Sequence, residues 1–110
     1  MALSHIFIHH VFFWLKNPDS KSDFLKLREG LQKLTRIKTI KEFHIGQPAD
    51  TDRDVIDHSY SLSWLLFFSN AEDQASYQID PIHLQFVEDY SGLWTKVLVY
   101  DTIEVNTESI

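Results

Sequence analysis

The chain has 110 residues, 44% of them apolar and 14% aromatic, and a formal charge of −6. This is the length of one domain with enough apolar material for a core, which excludes extended disorder. The negative balance, with no long Lys/Arg cluster, argues against nucleic acid, whose binding needs a basic surface to displace counterions.

The first element is Ile6 to Leu15, IFIHHVFFWL, whose β-branched and aromatic content predicts a strand. One phase carries Ile6, Ile8, His10, Phe12 and Trp14; the other carries Phe7, His9, Val11, Phe13 and Leu15. Both phases are apolar, so the strand is expected to be covered on both sides. Asn17-Pro18-Asp19-Ser20 is a turn cluster. From Ser22 to Thr35, Phe24, Leu27, Leu31 and Leu34 recur at helical spacing, with Gly30 inside the helix.

Ile37 to Gly46 reads as a second strand, Gln47 to Asp57 as an acidic loop, and His58 to Phe68 as a third strand. Asn70 is the expected N-cap of a helix through Ile79. Asp80-Pro81 then caps and starts a second helical segment running to Tyr90. The last strand lies within Trp94 to Ile103. One domain over residues 1–105 and a frayed polar tail over 106–110 are expected.

The order βαββ, helical pair, β predicts an α+β fold: a ferredoxin-like four-stranded antiparallel sheet with helices on one face. The open face needs a cover, and a second copy of the same surface supplies one, giving a dimeric α+β barrel.

There are no cysteines, so disulfides, thiolate catalysis and Cys-based metal sites are excluded, and a cytoplasmic location is expected. The N-terminus lacks a basic start and is interrupted by His5, His9 and His10, which fits a signal peptide poorly. The longest apolar runs, Val11 to Leu15 and Trp64 to Phe68, are far short of the roughly 20 residues that span a bilayer. No membrane partner is expected.

HHVFFWLK, EFHIGQP, DPIHLQFVED and the closing KVLVYD, in that order, resemble the stress-responsive A/B barrel (Dabb) family over about residues 5 to 103. The resemblance implies a ferredoxin-like barrel dimer. The family is functionally mixed. It includes plant stress-associated proteins and olivetolic acid cyclase, a cofactor-free polyketide cyclase. Membership therefore implies the fold more strongly than an activity.

The pair best suited to chemistry is His83 and Tyr77. The Asp80-Pro81 break between their helices lets both side chains face one cavity. At the third position of its helix, His83 feels the positive helix end, which favours the neutral imidazole, a base near pH 7. A tyrosine hydroxyl can stabilise a developing enolate. The resemblance places the cyclase's catalytic tyrosine and histidine on Tyr77 and His83, and its first-strand pocket histidine on His10. His10 shares a phase with Phe12 and Trp14, so the resemblance implies that this phase faces the helices and pocket, with Leu62, Trp64 and Leu66 as the wall on the third strand. Val11, Phe13 and Leu15, with Leu65 and Phe67, are then expected to meet the partner. It also implies departures: Leu62 replaces a pocket histidine, and Gly30 stands where the cyclase has a pocket tyrosine. Phe86 and Trp94 complete the expected pocket. The structural alternative is that His83 simply satisfies a helix start and Tyr77 is a core aromatic.

Metal binding is not expected. His9 and His10 point to opposite faces, and His5 and His9 are too far apart along the strand. The loop around Asp50, Asp52, Asp54 and Asp57 lacks the spacing of a calcium loop. No cofactor is expected. Two functions stay open: a homodimeric protein of unassigned activity with a small apolar pocket for an apolar or carbonyl-bearing molecule, or a cyclase or isomerase using His83 as base and Tyr77 as oxyanion stabiliser. Monooxygenase chemistry, also found on dimeric α+β barrels, has no residue set here that favours it.

Overall fold

The computed structural model describes residues 2–106. The expected tail lies outside the described residues from position 107 onward. The elements are β1 (Phe7–Leu15), α1 (Lys21–Leu34), β2 (Glu42–Gly46), β3 (Leu62–Phe68), α2 (Ala71–Ile79), α3 (Pro81–Tyr90) and β4 (Trp94–Thr102). A short 3₁₀ turn, Ser91–Leu93, joins α3 to β4. The four strands form one antiparallel sheet in the order β2-β3-β1-β4. This is the α+β, ferredoxin-like arrangement read from the sequence.

The helix starts follow from their caps. Ser20 Oγ accepts from the backbone N–H of Asp23, and Asn70 Oδ1 accepts from that of Asp73. Asp80 ends α2 and caps α3, its carboxylate accepting from the Ile82 N–H, with Pro81 as the first helical residue. Strands β2 and β3 are shorter than the sequence reading. The segment from Ile37 to Ile40 turns instead of pairing, with the Ile37 and Ile40 N–H groups bonding to carbonyls three residues back. Ile37 is nonetheless buried, so its apolar character serves the core rather than a strand.

The two faces of β1 are the reverse of the expectation. Val11 lies opposite Trp64, Phe13 opposite Leu62 and His9 opposite Leu66. Directly opposed residues of an antiparallel pair share a face. Val11, Phe13 and Leu15 therefore sit under the helices with Leu62, Trp64 and Leu66, at 6%, 3% and 4% exposure. They are core residues and cannot meet a partner. His10, Phe12 and Trp14 point to the open face with Leu65 and Phe67.

Helices α1 and α3 cross at Gly30. A Cβ there would stand 2.8 Å from the Tyr90 ring, inside any normal contact. The glycine thus admits the buried Tyr90 ring between the helices, and Lys33 Nζ lies 5.3 Å from that ring's centre. Gly30 is a helix-crossing residue, not part of the pocket. Gly30→Ala should accordingly lower stability by about 1 kcal/mol or more, although alanine favours an exposed helix by about that amount. Urea denaturation measures it; an increase in stability would contradict this packing.

Candidate functional site

A cavity of about 170 Å³ lies between the sheet and helices α2 and α3. His9, Tyr77, Gln78 and His83 are its polar lining, and Val11, Phe13, Trp64, Phe86 and Trp94 are among its apolar walls. Its mouth opens past Val97 and Val99 of β4 and Val87 of α3, all partly exposed. Trp64 and Trp94 wall the cavity without closing it. A wider groove of about 780 Å³ runs between the approach to β1 and the end of β4. Its titratable lining groups, His5 and Glu104, are paired with each other, so it presents no comparable chemistry.

Tyr77 is delivered by the last turns of α2 and is 1% exposed. Its hydroxyl accepts a hydrogen bond from Trp64 Nε1 at 2.9 Å. With the oxygen already accepting, the phenolic proton is free to be donated elsewhere. Burial pushes the Tyr77 phenol well above its ordinary value, outweighing the opposing effect of the Trp64 hydrogen bond. The side chain therefore stays neutral and a donor throughout the physiological range.

His83 stands at the third position of α3, as the Asp80-Pro81 pattern predicts. Its ring centre lies 4.8 Å from that of Tyr77 and 6.3 Å from that of Phe86. Burial holds its pKa below the ordinary value, and His9 adds to this; the Gln78 carbonyl and Asp80 act in the opposite direction. Its Nδ1 is buried and has no hydrogen-bond partner among the described residues. Buried polar atoms are normally paired, so this one asks for a ligand group or a functional reason.

His9 is the residue that the sequence reading missed. It is 6% exposed and makes an edge contact with Tyr77, ring centres 5.8 Å apart. Its Nδ1 bonds Asp101 Oδ1 at 2.5 Å, across the β1–β4 pair in which the two residues are direct neighbours. With Nδ1 held by the carboxylate, Nε2 is the ring nitrogen left to meet a group in the cavity. A carboxylate behind a histidine also fixes the ring's orientation. The signal lay in the sequence as an Asp after LVY on the last strand, but pairing it with His9 required the register.

The remaining candidates separate clearly. Phe86, Trp94 and Trp64 line the cavity. Leu62 and Leu66 are buried beside it in the core. His10, Phe12 and Trp14 are on the other side of the sheet, so the pocket histidine of β1 is His9, not His10. Among the described residues, no three His, Cys, Asp or Glu side chains gather as metal ligands would. None of the described helices is long and apolar enough to cross a membrane.

The model of the stress responsive A/B barrel domain (Dabb) matches residues 7–104. No curated protein matches the chain significantly. Among solved structures, a Dabb family protein of ferredoxin-like fold from Mesorhizobium loti superposes with a TM-score of 0.76 at 19% identity, over 92% of this chain and 98% of that one. A dimeric protein of unknown function from Bacteroides fragilis gives 0.72 at 14% identity, over 94% and 100%. The hydroxynitrile lyase of Passiflora edulis gives 0.73 at 22% identity, over 93% and 95%. At these identities the likenesses establish the fold, and the family match over nearly the whole chain establishes the lineage: the chain belongs to the stress responsive A/B barrel domain (Dabb) family.

Proposed function

We propose that the protein is a homodimer whose two cavities each bind a small carbonyl-bearing molecule and move a proton next to its carbonyl without a cofactor. The observation that carries the reading is His83: a histidine held neutral by burial, with an unpartnered buried Nδ1, on the wall of a cavity that it shares with the Tyr77 hydroxyl. In this reading His83 takes a proton from the carbon adjacent to the carbonyl, and the Tyr77 O–H donates to the oxygen as charge develops there. Returning that proton to another atom of the same molecule gives an isomerisation or a ring closure with no net exchange of electrons. Trp64 positions Tyr77, and the Asp101-anchored His9 supplies a second polar contact. The lyase activity named for the Passiflora edulis relative supports the idea that this fold can house such a site.

The dimer part rests on the open face. Ile8, Phe12, Trp14, Leu65, Phe67, Leu98 and Tyr100 all point away from the helices, and a contiguous apolar surface of that kind marks an interaction site. The Bacteroides fragilis relative, named as dimeric, supports a second copy as its cover.

Two outcomes are expected. Light scattering at micromolar concentration should give twice the 12.9 kDa chain mass, and Leu65→Glu should give the single chain; a wild-type monomer would contradict the dimer. Deuterium exchange at the α-carbons of a panel of small methyl ketones and 1,3-diketones, followed by proton NMR, tests the chemistry. The wild type should accelerate exchange of at least one compound. His83→Ala should slow it by about 10²-fold or more, and Tyr77→Phe by about 10²-fold. The wild-type rate should hold as pH falls to the ordinary histidine value of 6.5 and drop only below it, because the His83 pKa is lowered. Rates equal in all three proteins would remove both residues from the mechanism.

A further inference from the structure

We propose that the open face of the sheet is a pH-responsive interface: in the dimer proposed above, on which this inference rests, acidification protonates His10 and weakens the association of the two copies. The geometry comes from the strand registers. One row across the open face reads His44 on β2, Leu65 on β3, His10 on β1 and Tyr100 on β4. The row on one side reads Glu42, Phe67, Ile8 and Thr102; the row on the other reads Gly46, Ser63, Phe12 and Leu98. His10 thus sits at the centre of these rows, flanked by Leu65 and Tyr100, its ring centre 4.3 Å from that of Phe12.

The charged and titratable groups around it are few. Strand β2 contributes Glu42 and His44. Strand β3 contributes none. Strand β4 contributes Tyr100 and Lys96, and the loop before β3 contributes Asp57. His9 is next in sequence but points to the helices, bonded to Asp101. Lys96 is engaged at the far end of the face, its Nζ 4.5 Å from the centre of the Trp14 ring. Asp57 lines a small recess with Phe12, Trp14, Tyr60, Leu98 and Tyr100, and its carboxylate already accepts from the Ser59 N–H. The carboxylates near the two imidazoles of each face are thus Glu42, on the exposed edge strand, and Asp57, which is held by Ser59.

Within a single chain, burial already lowers the His10 pKa, with His44 and His9 adding to the effect. A second copy on this face would remove the remaining water and bring a second His10 and His44 with it. The imidazolium then loses hydration and gains no assured counter-charge, so the dimer binds this proton more weakly than the monomer. A state that binds fewer protons is disfavoured as pH falls through the pKa of the competing state. Association is therefore strongest at neutral and alkaline pH and is lost on the acid side.

Sedimentation velocity of the full chain, at about pH 7.5 and about pH 5.8, reads the dimer dissociation constant directly. The wild-type constant should rise more than about twofold between the two, because each copy must release a proton to associate on the acid side. His10→Gln should dimerise at both values with a change of less than about twofold, and His44→Gln should show a reduced wild-type response. Far-UV circular dichroism at both pH values establishes that each protein is folded, and His10→Asn serves if the glutamine variant is not. A wild-type constant that is flat or tightens on acidification overturns the proposal, as does a His10→Gln protein that weakens as the wild type does. A single-chain mass at pH 7.5 would instead overturn the dimer reading beneath it.

Discussion

Val11 lies opposite Trp64 in the antiparallel pair of β1 and β3, and that alignment sorts every side chain of the central strand. Slipping the pairing by one residue would exchange the faces, because strand side chains alternate. His10, Phe12 and Trp14 would then lie under the helices, and His9 would leave the cavity. The register is held by the packing it produces. Val11, Phe13 and Leu15 interdigitate with Leu27, Leu31 and Leu34 of α1 and with Phe86 of α3 in one buried cluster. Burying the alternative set would place the His10 ring where Val11 now packs.

The same alignment gives the two neighbouring histidines separate environments. His9 meets a carboxylate, since Asp101 is its direct partner on β4, and it faces Tyr77 and His83 in the cavity. His10 meets aromatic rings and another histidine's row on the open face. One residue is tied into a polar network in the interior; the other lies among Leu65, Phe12 and Tyr100 on the open face. The chemical options of the fold follow from this division. The interior side holds hydrogen-bonding groups around a small space, which suits proton transfer. The open side holds surface that asks to be covered and a group whose charge opposes covering.

Much of this was legible in the sequence because it is local. Helix caps at Asn70 and Asp80, the proline at the start of α3 and the apolar spacing of α1 are decided within a few residues, and each falls where it was read. The family resemblance likewise rested on short ordered segments and agrees with the match over residues 7–104. The pairing of His83 with Tyr77 followed from the short break between their helices, and the rings are indeed neighbours. What failed was non-local. When both phases of a strand are apolar, its sequence carries no mark of which phase faces inward; only the pairing partner decides. Aligning the cyclase's first-strand pocket histidine with His10 placed the His10 phase in the pocket and Val11 at the interface, and the strand register reverses both placements. His9–Asp101 and Trp64–Tyr77 are pairs of the same kind, joined across strands or between strand and helix, with no local sequence signal. Gly30 was read as a helix defect beside the pocket, and its reason, the Tyr90 ring, lies 60 residues further along the chain.

The central claim is that the two faces of β1 have opposite duties: odd-numbered residues build the cavity, and even-numbered residues meet a second copy. Isotope-filtered NOE spectroscopy on a mixture of labelled and unlabelled chains tests it most directly, because it reports only contacts between copies. Intermolecular NOEs should appear at Ile8, Phe12, Leu65 and Phe67 and be missing from Val11, Phe13 and Trp64. Intermolecular NOEs at Val11 and Phe13, with none at Phe12 and Leu65, would contradict the account.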